Sequence, residues 1–256
     1  MLSSSNIKLI NSLRYKKYRD RYNLFVIEGD KLVNEFLESE KHVKLLLATS
    51  EWIEKTDRKL LSSAEEIIML NDREIKKISQ LKTPQNTLAL VNIEKHNLEL
   101  LALSVKLNIG LENIQDPGNL GTIIRVAAWF GIDTIICSNE TVDVYNPKTI
   151  QASMGAILHV KVFYTNMLNF LNDISKIEMP VFAATLDGVP IQEITKTDHG
   201  LLLFGNESKG LSANFITHAT HKIKIPAYGQ VLPGIESLNV AMSAAIICNE
   251  FRRDMK

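Results

Sequence analysis

Hydrophobic residues occur along this chain in short runs, set between polar stretches that show helical spacing. The run Leu24-Phe25-Val26-Ile27, stopped by Glu28-Gly29, predicts a first strand. Lys31–Glu38 follows, with Leu32, Val33, Phe36 and Leu37 on one helical face. Val43–Ala48 predicts a second strand, Asp57–Ser63 and Asp72–Gln80 predict helices, and Thr87–Val91 closes a small α/β unit. Asn92–Leu98 is polar and marks the boundary. The pattern thus divides the chain into a domain at 1–95, a linker at 96–105 and a second domain at 106–256.

The second half alternates more regularly. Strands are expected at Lys106–Leu111, Asp133–Cys137, Val160–Tyr164, Val181–Ala184, Leu201–Phe204 and Lys222–Ile225. Helices fall between them, from about Leu120 to Phe130, at Pro147–Gly155, Met167–Ser175 and Ser212–Thr217, and finally at Ser237–Arg253. Strands separated by helices imply a parallel sheet covered on both faces. Such sheets bind ligands at the carboxyl ends of their strands.

Composition narrows the class of protein. At 256 residues, 45% hydrophobic and 23% charged, the chain can bury a core in each of two domains. No apolar stretch approaches the about 20 residues that span a bilayer, and no signal core follows Met1-Leu2-Ser3-Ser4-Ser5. The expectation is a cytoplasmic protein with no membrane contact. Cys137 and Cys248 lie in different apolar elements and read as buried free thiols. The six histidines are scattered, and His218 and His221 lack an evident third ligand, so no metal is expected.

Net charge is zero, but it is unevenly placed. Residues 1–95 hold 17 Lys+Arg against 14 Asp+Glu, and the remainder 12 against 15. Lys8–Asn23 carries six basic residues and one acid, with Tyr15, Tyr18 and Tyr22 interleaved. Lys16, Lys17, Arg19 and Arg21 beside stacking rings would suit RNA. A solvated helix with its tyrosines turned inward fits the same stretch.

Three loops at strand ends carry the candidate chemistry. The first is Asn113-Ile114-Gln115-Asp116-Pro117-Gly118-Asn119-Leu120-Gly121, leading to Arg125. Proline and glycine force a turn, and the helix start behind it offers unpaired N–H groups. An ordinary strand-to-helix turn with a surface arginine reads equally well. A G-x-G-x-x-G fingerprint is absent, which excludes a nucleotide-dependent dehydrogenase. The second loop is Gly205-Asn206-Glu207-Ser208-Lys209-Gly210-Leu211-Ser212. It has the outline of a phosphate-binding loop, but Leu211 stands where the lysine is required, and a nucleotidase is excluded. The third runs from Ile225-Pro226 past Pro233-Gly234 to Glu236-Ser237-Leu238-Asn239-Val240-Ala241, with Ser237 a candidate helix cap.

Together these loops resemble the signature motifs of the SpoU/TrmH family of SPOUT RNA methyltransferases. The matching patterns are N-x-x-D-P-G-N-x-G-x-x-x-R, G-N-E-x-K-G-L, and I-P followed by E-S-L-N-V, in that order. Gln151-Ala152-Ser153-Met154-Gly155-Ala156 resembles a family segment between the first two. Lys17–Gly29 and Thr83-Pro84-Gln85 resemble the family's N-terminal substrate-binding domain.

The resemblance implies an α/β protein with a knotted parallel C-terminal sheet (the SPOUT trefoil knot). Its small N-terminal RNA-binding domain would be similar to a ribosomal-protein-like fold. It implies S-adenosyl-L-methionine as cofactor, held by Phe204, Gly205, Ile225, Pro226 and Leu238, with a homodimer sharing its active sites. Asn119, Arg125, Glu207, Ser237 and Asn239 match the catalytic set. The activity implied is methylation of a ribose 2′-hydroxyl in ribosomal RNA, since the extra N-terminal domain resembles that of rRNA-modifying members. A tRNA ribose methyltransferase and a catalytically silent RNA-binding protein are the alternatives. Guanidinium is a poor base because its pKa exceeds about 12. The role expected for Arg125 is therefore binding the neighbouring phosphate and stabilising the developing alkoxide. Ser208, Asn86 and the long 227–236 segment depart from the usual pattern without touching the five catalytic matches.

Overall fold

Unbroken apolar strands, rather than alternating ones, demand cover on both faces of a sheet. The computed structural model, which describes residues 2–39, 41–228 and 237–253, supplies that cover in two separate units. One unit comprises Met1–Lys95 with Asp143–Leu158, and the other His96–Val142 with His159–Lys256.

The first unit begins with α1 (Ser4–Ser12), α2 (Lys16–Tyr22), β1 (Leu24–Glu28), α3 (Asp30–Glu38) and β2 (Val43–Thr49). It continues through α4 (Ser50–Lys55), α5 (Arg58–Leu61), β3 (Ala64–Leu70), α6 (Asp72–Ile78) and β4 (Thr87–Asn92). The sheet order is β1-β4-β2-β3, with β4 antiparallel to both neighbours and β2 parallel to β3. Side chains alternate across it with period two. Leu24, Val26, Leu45, Leu47, Leu88 and Leu90 enter one core with Ile10 and Ile78. Phe25, Ile27, Leu46, Ala89 and Val91 enter the other with Val33 and Phe36. The hydrophobic pattern does not predict strand β3. It is an edge strand with a mostly exposed Ala64–Leu70, so it shows no alternation.

The chain enters the second unit through α7 (Leu100–Ser104), β5 (Leu107–Leu111), α8 (Pro117–Trp129) and β6 (Thr134–Ser138). It returns to the first unit with α9 (Pro147–Ser153). It then builds β7 (Lys161–Thr165), α10 (Met167–Lys176), β8 (Val181–Pro190), β9 (Gly200–Phe204), α11 (Ala213–Ile216), β10 (His221–Lys224) and α12 (Val240–Arg252). All neighbours in the order β10-β8-β9-β5-β6-β7 run parallel. The expected linker at 96–105 instead carries α7, whose Leu103 is buried in this unit's core beside Phe170 and Leu201. The expected strand Val181–Ala184 continues without a break to Pro190, but its pairing with β10 shifts register. Lys222 faces Ala183, but the next residue, Ile223, faces Val189. A Cβ on Gly188 would lie 2.6 Å from the Ile223 nitrogen, so the close approach admits only glycine there. No helix among the described residues is long and apolar enough to cross a membrane.

The sequence pattern puts residues 143–158 in the second domain, yet they complete the first unit's core. Ile150 is buried there, and the Tyr145 ring centroid lies 4.6 Å from that of Phe25. The Gln151–Ala156 stretch ends α9 with Met154 and Gly155 both left-handed, at φ 49° and 84°. The φ of Gly155 lies where side-chain-bearing residues are strained, which accounts for glycine at that position, beside the Glu35 carboxylate.

Candidate active site

The three motif loops all begin at carboxyl ends of strands in the second unit. Beyond β5, Asn113 takes a left-handed conformation and Asp116 caps α8, its Oδ1 accepting from the Asn119 N–H at 2.9 Å. Pro117 occupies the first turn of α8, where its missing N–H costs nothing. Beyond β9, Asn206 and Gly210 exchange main-chain hydrogen bonds of 3.1 and 2.9 Å, closing the glycine-rich loop into a tight turn. The Asn206 side chain accepts from the Ser208 and Lys209 N–H groups and donates to the Asn113 carbonyl at 2.8 Å. It therefore splints the first loop to the second. Sequence reasoning gives Asn206 no role, although its place beside Glu207 inside the motif is an available signal.

A chain of side-chain hydrogen bonds then unites all three loops. Asn119 Nδ2 donates to Glu207 Oε1 at 2.9 Å, and Asn239 Nδ2 donates to Asn119 Oδ1 at 3.0 Å. Asn239 Oδ1 accepts from the Ala241 and Met242 N–H groups at 2.9 and 3.3 Å. The direction of this chain is set at both ends. A carboxylate can only accept and the helix N–H groups can only donate, so each amide between them has one permitted orientation. Asn239, rather than the expected Ser237, is thus the cap of α12, and the helix starts at Val240. Ser237 is exposed, two residues before the cap.

The remaining expected site residues surround this chain. Arg125 is an exposed residue of α8, six positions beyond Asn119 and so about 120° away round the helix. Phe204 is buried at the end of β9, Gly205, Ile225 and Pro226 are half-buried, and Leu238 is exposed. The main-chain groups of Gly205, Ile225 and Leu238 make no main-chain hydrogen bond with other described residues. Open amides and carbonyls beside aliphatic Ile225 and Leu238 form a donor set suited to an adenine edge and its faces, so these residues fit the expected cofactor. Pro233, Gly234 and Glu236 of the third loop, within the long 227–236 segment, lie outside the described residues.

In the first unit, α2 presents most of the expected RNA-facing residues. Lys16 pairs with Asp20 at 2.9 Å on the surface, and the Lys17 ammonium lies 4.8 Å above the Tyr18 ring. Arg21 lies 5.7 Å from the Tyr22 ring, and Tyr18 and Tyr22 stack with centroids 6.4 Å apart. Arg19 is the correction. Its side chain is only 2% exposed, donates to the Leu13 and Arg14 carbonyls, and forms an ion pair with Asp143. That environment consumes its donors, so Arg19 braces the inserted segment and does not face RNA.

Similarity to known proteins follows the same division. A model of the SpoU rRNA methylase family matches residues 106–249, and one of the MRM3-like substrate-binding domain matches residues 4–89. The 23S rRNA (guanosine(2553)-2′-O)-methyltransferase RlmP of Bacillus subtilis is 32% identical over 97% of this chain and 96% of its own. A structure described as a TrmH-family RNA methyltransferase from Porphyromonas gingivalis is 35% identical, with a TM-score of 0.86 over 99% of both chains. An AdoMet-bound rRNA methyltransferase structure from Sinorhizobium meliloti is 29% identical, with a TM-score of 0.87 over 100% of this chain and 98% of its own. The fold is that of the knotted SPOUT methyltransferases, preceded by a separate α/β domain. With its three motif loops joined at one sheet edge and residues 106–249 matched by the family model, the chain belongs to the SpoU rRNA methylase family.

Proposed function

We propose that this protein transfers the methyl group of S-adenosyl-L-methionine to a ribose 2′-hydroxyl of ribosomal RNA. The observation that carries the reading is the Glu207–Asn119–Asn239 chain, which links the three family motifs at the carboxyl edge of a parallel sheet. The S. meliloti neighbour holds AdoMet, and the B. subtilis relative is named for 2′-O-methylation of 23S rRNA. When bound, the cofactor supplies a methyl group activated on a sulfonium.

The protein's task is then orientation, because the ribose oxygen must lie in line with the methyl carbon. Glu207 holds the Asn119 amide, and Asn119 holds Asn239, so the three loops that form the pocket are fixed relative to one another. Arg125, exposed on α8, offers a guanidinium to the phosphate beside the target ribose and to the alkoxide that develops there. Ser237 lines the same approach. On the first unit, Lys16, Lys17 and Arg21, with Tyr18 and Tyr22, meet RNA backbone and bases.

The fuller reading includes a cytoplasmic homodimer. Leu238, Met242 and Ile246 leave an exposed apolar stripe at the start of α12, which a second copy would cover. Sedimentation at micromolar concentration should give twice the 28.8 kDa chain mass. Mapping 2′-O-methyl positions in total RNA with and without the protein tests the function itself. One ribosomal ribose should lose its methyl group when the protein is absent. An unchanged rRNA map would refute the proposal.

A further inference from the structure

A further loop stands at the sheet edge that bears the three motifs, and the sequence pattern gives it no role. It follows β6, the strand paired in parallel with β5, and runs from Ser138 to Val142. Its hydrogen bonds reach the first motif loop at three successive residues. The buried Ser138 hydroxyl accepts from the Asn113 N–H at 3.0 Å, and the buried Thr141 hydroxyl from the Ile114 N–H at 3.3 Å. The Val142 N–H donates to the Ile114 carbonyl at 2.8 Å. From the surface, Gln115 Nε2 donates to the Glu140 carbonyl at 2.9 Å and also to Asn113 Oδ1.

These bonds converge on Asn113. Its φ of 53° is uncommon for a residue with a side chain, and such a conformation persists only where its surroundings over-determine it. Here Ser138 holds its N–H, Gln115 its side chain and Asn206 its carbonyl. The left-handed turn directs the chain into α8, the helix that carries Asn119 and Arg125. We propose, on the reading of the protein as a methyltransferase, that the Ser138–Val142 loop is a fourth working part of the active site. Ser138 and Gln115 are its positioning residues, and they act through Asn113 on where Asn119 and Arg125 stand. Methyl transfer depends on alignment, and a displacement of about 1 Å can slow a reaction about 100-fold. The residues expected to hold the cofactor, Gly205, Ile225 and Leu238, make no hydrogen bond to Ser138 or Gln115, so cofactor affinity lies outside this device.

The test compares the full-length parent with Ser138→Ala, Ser138→Thr and Gln115→Met. Ser138→Ala removes the acceptor, and Ser138→Thr keeps a hydroxyl in its place. Gln115→Met keeps the length of an exposed side chain but lacks the amide. The measurements are steady-state methylation of ribosomal RNA, S-adenosyl-L-methionine affinity by calorimetry, and deuterium exchange of the peptide spanning residues 112–116. Ser138→Ala should lower kcat about tenfold, the worth of one hydrogen bond, and Gln115→Met by a smaller factor. In both, exchange of that peptide should quicken, while KM for RNA and cofactor affinity stay parental. Ser138→Thr should restore kcat and slow exchange together. Parental kcat in both Ser138→Ala and Gln115→Met would overturn the proposal, as would a fall in kcat with unaltered exchange. A fall matched by an equal loss of cofactor affinity would also overturn it, because the loop would then support the pocket as a whole. Should Ser138→Ala fail to fold, Gln115→Met decides alone. A parent that transfers no methyl group to RNA would instead refute the methyltransferase reading, and the exchange comparison would still accept or reject the hold on Asn113.

Discussion

Replacing Asn119 by aspartate changes one nitrogen to oxygen and tests the hydrogen-bonded chain with little change in shape. The introduced carboxylate would still accept from Asn239, but its other oxygen would face Glu207 Oε1 across 2.9 Å, acceptor against acceptor. A hydrogen bond to a charged group contributes about 1.5–3 kcal/mol. At about 1.4 kcal/mol per decade of rate, its loss in the transition state slows turnover roughly 10- to 150-fold. Like-charge repulsion in this half-buried position adds to that cost. A proton shared between the two carboxyl groups restores a donor, so the variant should recover part of its turnover as pH is lowered from about 8 to about 6 while the parent does not. The assay is single-turnover methylation of ribosomal RNA at saturating cofactor across that range. An Asn119→Asp protein with parental rates at every pH would show that the chain plays no part in catalysis.

Other outcomes follow from the two units. Arg19→Ala leaves Asp143, 14% exposed, without its partner, and breaking a fully buried pair costs about 3–5 kcal/mol, an upper bound here. Urea unfolding should therefore register a large loss of stability, and an unshifted midpoint would argue against the brace. Neutralising Lys17 and Arg21 should weaken RNA binding and flatten its logarithmic salt dependence by about 0.7 for each phosphate no longer neutralised, with cofactor affinity unchanged. A slope equal to the parent's would return α2 to a solvated surface. Burial pushes the Cys248 thiol up to about 12 and raises that of Cys137 as well. Neither should react with a disulfide reagent at about pH 8 until the protein is denatured, and rapid reaction of the native protein would contradict the packing.

Much of this molecule is legible in its residues because local physics and tertiary packing agree there. The apolar runs Leu24–Ile27 and Leu201–Phe204 are strands because they are buried on both faces, and burial leaves its mark on composition. Asp116-Pro117-Gly118 announces a helix start through capping and proline geometry alone. What the sequence conceals depends on distant partners. Strand β3 is held by pairing with β2 at a sheet edge, and its side chains show no alternation. The passage of residues 143–158 into the first unit depends on Arg19, Phe25 and Glu35, far away in the chain. Spacing groups Arg19 with its basic neighbours because it cannot show which of several cations is turned inward. The motif residues are recognisable one loop at a time, but the link from Glu207 through Asn119 to Asn239 requires three loops to meet, and only the fold brings them together.

The most direct test of the account is the fate of a labelled methyl group. Purified protein, ribosomal RNA and S-adenosyl-L-methionine labelled in its methyl group should yield RNA whose label survives alkaline hydrolysis in a dinucleotide. A methylated 2′-oxygen cannot attack the neighbouring phosphate, so that linkage stays intact. Label recovered on a base in mononucleotides, or no transfer to RNA at all, would contradict ribose methylation.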